Sequence, residues 1–222
     1  MKSIVISPHP DDEILGCGGT LLKRIDQKNE LGWIIVTSAN ESFGWSKVKI
    51  KKRLEEIEKI RKLLKIKDKN IFFLNFEAAS LDTLPVSNLI SSIASIFDSF
   101  NPNEVFLPNK ADAHSDHRIV FDAVSACCKS FRCESINRVL SYETISETNL
   151  YLNKDTLFNP NYYEDISLYL TKKLAAMDIY KSEMGKFPFP RSKKSIEAQA
   201  IFRGSFVNFK AAEAFELLLN RE

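Results

Sequence analysis

Residues 2–7 form a short β-branched run that stops at Pro8, the pattern of a buried strand. The period then changes. Ile14, Gly18, Leu21, Leu22 and Ile25 fall on one face of a helix beginning at Glu13. Lys23, Arg24 and Lys28 lie toward its end, where cations suit the helix dipole. Residues 32–38 predict a second buried strand. Residues 46–66 give the clearest helix, with Ile50, Leu54, Ile57, Ile60 and Leu64 on one face and the pairs Glu55–Lys59 and Glu58–Lys62 on the other. A strand over 70–75, a helix from Pro85 to Phe100, a strand over 104–108, a helix from His117 to Lys129 and a fifth strand over 137–142 continue the alternation.

This rhythm predicts an α/β fold, a Rossmann-like, mainly parallel sheet covered by helices on both faces, with right-handed crossovers. Each of these strands is expected to be internal and apolar on both sides. Residues 143–166, rich in Asn, Thr, Asp, Pro and Tyr, break the pattern and read as loops with short strands. Helices are expected near 167–183, 192–202 and 210–220, with Phe187-Pro188-Phe189-Pro190 as a rigid connector. No repeat, low-complexity tract or linker divides the chain, so residues 1–222 read as a single domain.

Composition narrows the function. A chain of 222 residues can bury a full core without disulfides or structural metal. The 31 basic and 29 acidic side chains leave a formal charge of +2, so neither nucleic acid nor a membrane surface is expected as a partner. With 44% hydrophobic and 27% charged residues the chain is not a disordered one. No apolar run approaches the roughly 18 residues of a membrane span. The first apolar run is too short for a signal-peptide core, so a cytoplasmic protein is expected. Cys17, Cys127, Cys128 and Cys133 show no Cys-x-x-Cys spacing and read as reduced, mostly buried, small apolar side chains.

The three histidines carry the candidate chemistry. His9 lies in Pro8-His9-Pro10-Asp11-Asp12-Glu13, directly after the first strand; His114 and His117 lie in Asp112-Ala113-His114-Ser115-Asp116-His117-Arg118, directly after the fourth. In an open α/β sheet, loops at the carboxyl ends of strands flanking the switch point form the ligand crevice. If the second strand lies on one side of the first and the fourth on the other, the two loops face each other. His9 and Asp12, three apart on a loop entering a helix, can then reach one point. A third ligand from the second loop, either His114 or His117, completes a two-histidine, one-carboxylate set with open positions for water and substrate. The other histidine is left for acid–base or oxyanion work. Asp12 ligates, and Asp11 is free to take a proton from metal-bound water.

Taken singly, these residues have structural explanations. Pro8–Glu13 suits a turn with a carboxylate N-cap, Asp116 suits an N-cap, and His117 suits a core or surface histidine. Together the three histidines and Asp11, Asp12, Asp112 and Asp116 occupy the ends of two strands on one expected sheet edge, which argues for a metal site. Gly16, Gly18 and Gly19 do not make a dinucleotide fingerprint, because Leu21 stands where the third glycine belongs. They suit close packing of helix on sheet. The lysines of residues 47–67 interleave with acids and read as a solvated face.

The string Ser7-Pro8-His9-Pro10-Asp11-Asp12-Glu13-Ile14-Leu15-Gly16-Cys17-Gly18-Gly19-Thr20, followed by His114-Ser115-Asp116-His117-Arg118, resembles the LmbE-like family of zinc-dependent N-deacetylases. That family includes the GlcNAc-phosphatidylinositol deacetylases (PIG-L) and bacterial enzymes acting on GlcNAc-malate and GlcNAc-inositol. Arg53-Leu54-Glu55-Glu56 resembles its Arg-x-x-Glu, and Glu197-Ala198, Arg203-Gly204 and Ala212-Glu213-Ala214-Phe215 resemble its C-terminal pattern. Ile60 departs from it, where the family usually has a small residue.

The resemblance implies an LmbE-like fold and a zinc ion, with ferrous iron as the alternative metal. It implies His9, Asp12 and His117 as ligands and Asp11 as general base. It further implies that His114 stabilises the oxyanion and protonates the leaving amine, that Asp116 orients His114, and that Arg53 contacts the sugar. The expected activity is removal of the acetyl group from an N-acetylated amino sugar or its conjugate, a small-molecule glycoside, with residues 143–166 adding substrate contacts. Alternatives are hydrolysis of another amide, such as a thiol conjugate or another N-acyl sugar, and a non-haem iron oxygenase, which usually has a β-rich scaffold. A catalytically silent metal-binding protein is a further alternative, but it has no need of Asp11 or His114. A homo-oligomer is compatible with the sequence.

Overall fold

The short apolar runs become strands β1 (Lys2–Ser7), β2 (Glu30–Thr37), β3 (Ile71–Phe76), β4 (Glu104–Leu107) and β5 (Arg138–Tyr142), joined later by β6 (Tyr162–Asp165) and β7 (Ala212–Asn220). The helices are α1 (Asp12–Asp26), α2 (Lys47–Leu63), α3 (Val86–Phe100), α4 (Ser115–Cys127), α5 (Leu170–Met177) and α6 (Lys193–Ser205). These elements come from a computed structural model that describes residues 1–152 and 157–221. Of the expected loops over 143–166, residues 153–156 lie outside the described residues.

One seven-stranded sheet runs in the order β3-β2-β1-β4-β5-β7-β6. The pairings from β3 to β5 are parallel, whereas β7 runs antiparallel to both β5 and β6. The alternation of side chains along the strands sorts the core into two layers. Val5, Trp33 and Ile35 face α1, α2, α5 and α6 through Ile14, Leu21, Ile57, Ile60, Met177 and Ile196. Ile4, Ile6, Ile34 and Val36 face α3 and α4 through Ile93, Phe97, Val120 and Val124. This is the expected Rossmann-like α/β arrangement with helices on both faces. Among the described residues no helix is long and apolar enough to cross a membrane.

Four local expectations are corrected. Residues 210–220 are not a helix. The segment forms β7, because it fills the gap between β5 and β6 and pairs with both. Residues 167–183 are helical only over Leu170–Met177. β3 is not internal: it ends the sheet, its exposure alternates, and Phe73 is 40% exposed. On α2, Leu54 likewise faces outward, and burial is carried by Ile57 and Ile60.

Glycines let α1 approach the sheet. A Cβ on Gly16 would fall 2.1 Å from Tyr142 Cδ2, and one on Gly19 would meet Ile166. The helix is broken at Cys17, whose φ of −142° is not helical. At the break, the carboxylate of Glu213 accepts the N–H groups of Gly19 (2.8 Å) and Thr20 (2.7 Å), while Lys173 Nζ donates to the carbonyl of Leu15 (2.8 Å).

Candidate metal centre and adjoining cavity

β1 has β2 on one side and β4 on the other, so the sheet order changes direction at β1. The β1–α1 loop and the β4–α4 loop therefore meet over the carboxyl ends of the strands. In the first loop, the His9 N–H donates to Asp12 Oδ2 (2.9 Å), closing a turn that sets both side chains on one side. Asp11 caps α1 with φ 144° and ψ −28°. In the second loop, Arg118 donates to the carbonyls of Asp112 (2.8 Å) and Ala113 (2.6 Å), and the His114 ring caps α4.

These turns bring His9, Asp12 and His117 together, with one donor atom from each within 4.8 Å of the others. His9 Nδ1 lies 3.4 Å and His117 Nε2 3.3 Å from Asp12 Oδ2. The second nitrogen of each ring meets a carboxylate: His117 Nδ1 lies 2.7 Å from Asp112 Oδ2, and His9 Nε2 lies 3.1 Å from Asp116 Oδ2. Both carboxylates are anchored in turn. Asp112 accepts from the Thr148 hydroxyl (2.5 Å), and Asp116 from the N–H groups of Ala79 (2.7 Å) and Leu81 (3.2 Å). Two imidazole nitrogens and one carboxylate oxygen, with each ring held from behind by an acid, form a donor set that fits zinc or ferrous iron.

His9, His114 and Asp116 also bring donor atoms within 4.8 Å of one another, so proximity alone does not choose between the two later histidines. Their surroundings differ. His117 is 1% exposed and backed by Asp112, whereas His114 Nδ1 accepts the backbone N–H of Asp116 (3.1 Å). Asp116 thus holds His114 through its main chain. Its carboxylate lies 3.9 Å from that ring and grips His9 instead.

Burial, and next the neighbouring Asp12 charge, push the Asp11 carboxyl well above its usual range. For Asp12 burial also acts upward, but His117 and His9 outweigh it and hold the group well below the carboxylate range. Burial acts downward on His9, yet its hydrogen bonds to Asp116 and Asp12 push it up to about 9. On His117 burial is likewise outweighed, by Asp12 and Asp112, and the ring is pushed well up. His114 moves the other way, to about 4, through burial and then the charges of His9 and His117. With Nδ1 occupied as an acceptor, the neutral His114 ring carries its proton on Nε2.

Beside this cluster lies a cavity of about 180 Å³ lined by His9, Asp11, Ser38, Trp45, Arg53 and Glu183 among others. Arg53 Nη1 donates to the Pro10 carbonyl (3.0 Å), Nη2 pairs with Glu183, and the guanidinium lies 5.7 Å from the Tyr180 ring centroid. Tyr180 donates to Glu13 Oε1 (2.8 Å), and Glu13 Oε2 accepts the N–H of Asp11 (3.1 Å). Arg53 and Glu13 thus brace the loop that carries Asp11. His114 and His117 lie outside the lining of this cavity.

From sequence, Asp112 counted in the polar cluster without a role of its own, and Glu13, Trp45, Tyr180 and Glu183 had no role. For Asp112 a signal existed, an acid five residues before His117 in the same loop. Trp45, Tyr180 and Glu183 had none, because they reach the cavity from segments distant in sequence.

Known proteins resemble this chain in sequence and in fold. Residues 4–128 match the model of the PIG-L family, described as GlcNAc-PI de-N-acetylase. The "Uncharacterized deacetylase YaiS" of Escherichia coli K12 is 29% identical over 186 residues, 81% of this chain and 90% of that protein. The diacetylchitobiose deacetylase of Thermococcus kodakarensis is 25% identical over 232 residues, 98% of this chain and 83% of that protein. Among solved structures, N,N′-diacetylchitobiose deacetylase from Pyrococcus horikoshii superposes with a TM-score of 0.76 at 23% identity, covering 98% of this chain and 84% of that one. At that identity the superposition speaks to fold.

Proposed function

The chain belongs to the GlcNAc-PI de-N-acetylase (PIG-L) family, and from that premise we propose that it is a metal-dependent hydrolase removing acetate from an N-acetylated amino sugar or its conjugate. The observation that carries this reading is one crevice holding the His9, Asp12 and His117 donors with Asp11 on the wall of the adjoining cavity. His9, Asp12 and His117 would hold zinc or ferrous iron, which when bound supplies Lewis-acid polarisation of an amide carbonyl and acidification of water.

The remaining steps belong to side chains of the protein. Asp11, whose burial raises its proton affinity, takes a proton as water oxygen bonds to the acetyl carbon. His114 turns its Nε2–H toward the developing oxyanion. When the carbon–nitrogen bond breaks, the departing nitrogen receives a proton from His114, and the proton that Asp11 took restores that ring. The products are acetate and a primary amine. Asp116 and Asp112 are positioning residues for the rings of His9 and His117. Arg53 keeps N–H donors beyond its bonds to Pro10 and Glu183, and these suit sugar hydroxyls.

The test is primary-amine release from a panel of N-acyl sugars, free and conjugated. Asp11→Asn should retain metal and lose activity by roughly 10²–10⁴-fold; turnover at the wild-type rate rules out Asp11 as base. His117→Ala should lose metal on dialysis more completely than His114→Ala, and equal retention in both would sink the ligand assignment.

A further inference from the structure

A surface helix normally turns its polar side to water, and α6 does not. Its inward face is made by Ile196, Ala200 and Gly204, all buried. Its outward face carries Ile201 and Phe202, and Phe206 and Phe209 follow at its end. Phe202 and Phe206 are each 58% exposed. Their rings pack edge to face with centroids 5.0 Å apart, and Phe206 stacks on Tyr163 at 6.3 Å. The rings are thus held in place while facing water.

At the other end of α6, a loop closed by the Gly185 N–H on the Arg191 carbonyl (3.3 Å) presents Phe187, 59% exposed. Lys194 Nζ lies 4.5 Å from the centroid of that ring, which joins the loop to the first turn of α6. Ile201, Phe202, Phe206 and Phe209 alone leave on the order of 400 Å² of apolar surface in water, within the range of patches that mark interaction sites.

Charge selects what covers this face. Residues 186–210 hold six cations, Lys186, Arg191, Lys193, Lys194, Arg203 and Lys210, against one acid, Glu197. Three of the six are answered from elsewhere in the chain: Arg191 by Glu183 (3.7 Å), Lys193 by Asp178 (2.5 Å) and Arg203 by Glu143 (2.6 Å). Lys186, Lys194 and Lys210 are exposed, and among the described residues none of them forms an ion pair. The whole-chain charge of +2 conceals this local excess. A second copy of the chain would set the same free lysines against each other, with Glu197 alone to answer them. Nucleic acid would want the planar forks of arginine, and both arginines are engaged. An anionic bilayer meets both features, headgroups for the lysines and the acyl boundary for the rings.

We propose that the outward face of α6, with the Phe187 loop, docks on an anionic membrane surface. The phenylalanines enter the boundary between headgroups and acyl chains, and Lys186, Lys194 and Lys210 hold anionic headgroups around them. The helix then lies in the plane of the interface and does not span it. This docking does not depend on the deacetylase reading of the crevice.

The test is flotation of the full chain with vesicles of phosphatidylcholine alone and of phosphatidylcholine with about one-third phosphatidylserine. Partitioning should favour the anionic vesicles by about tenfold and fall as salt is raised. The double variant Phe202→Gln/Phe206→Gln should lose most of the binding to both, with little change in melting temperature, because both rings already face water. The double variant Lys194→Glu/Lys210→Glu should lose the preference for phosphatidylserine, and it decides the matter if the first variant does not fold. Absence of partitioning, equal partitioning into the two vesicle types, or anionic binding that both variants retain overturns the proposal. A concentration-dependent dimer that Phe202→Gln/Phe206→Gln abolishes, in protein that ignores vesicles, overturns it in favour of a second copy. Tighter binding to a DNA oligonucleotide than to anionic vesicles overturns it in favour of nucleic acid.

Discussion

Asp11 holds a backbone conformation, φ 144° and ψ −28°, that side-chain-bearing residues rarely adopt. Such a residue persists only where its surroundings enforce it. Here its carbonyl accepts the N–H groups of Ile14 (3.0 Å) and Leu15 (2.9 Å), its own N–H is taken by Glu13, and Arg53 grips the preceding carbonyl. The strain fits a device that turns the carboxylate into the cavity while the next residue, Asp12, faces the metal donors. Glycine bears that φ without the penalty, so Asp11→Gly should be more stable than Asp11→Ala by about 1–3 kcal/mol, although neither should release amine. Thermal and denaturant unfolding of the two variants checks this, and equal stabilities would show that the position is unstrained. At this scale the identity of the residues was legible, because ligand-type side chains crowd two short loops. The conformation of Asp11 was not, since no pattern of residue types encodes it. Nor was the downward shift of the metal-free His114, to about 4, which follows from burial and then the charges of His9 and His117.

Among the elements, α1 depends on a buried pair from two later segments. Its break at Cys17 frees one carbonyl and two N–H groups, and Lys173 of α5 and Glu213 of β7 occupy them while pairing with each other at 2.7 Å. Both side chains are 3% exposed, so neither charge is screened by water. Removing one partner leaves the other charge buried. Glu213→Gln or Lys173→Met alone should destabilise by about 3–5 kcal/mol, and the double variant by clearly less than the sum. Denaturant unfolding of the four proteins measures this coupling, and additive losses would mean that the two residues act separately. Glu213 also shows what an element hides. Residues 210–220 read as a helix because Ala, Glu and Leu, which crowd the segment, rank among the best helix formers. The segment is a strand because β5 and β6 offer ladders on both sides and Phe215 is fully buried there. Helix propensity was readable; the partners that override it were not.

Over the whole molecule, the alternation of apolar runs and amphipathic segments was enough to anticipate the mainly parallel sheet; that strands two and four flank strand one entered only as a condition, which the order β3-β2-β1-β4 meets. The segments that close the cavity, around Trp45 and around Tyr180–Glu183, were not anticipated, because their placement depends on how α2 and the chain beyond α5 cover the sheet. That assembly concentrates proton affinity in one place. Glu13 is pushed up to about 8 by burial, and His9 to about 9, so each binds its proton more tightly in the folded protein than in the unfolded one. Stability from Glu13 is complete below about 4.5 and lost as pH rises toward about 8. Stability from His9 is complete below about 6.5 and lost as pH rises toward about 9. The depressed Asp12 acts in the opposite sense, but only in acid. Chelator-treated protein should therefore lose thermal stability between about pH 6.5 and pH 9. Metal binding requires neutral imidazoles, so zinc should bind more tightly over the same interval and stabilise most at its upper end. Melting curves across that range, with chelator and with zinc, separate the two effects. Chelated protein that gains stability toward pH 9 would show that the rings of His9 and His117 are not charged in the folded chain, and an unchanged zinc-induced shift would remove them as ligands.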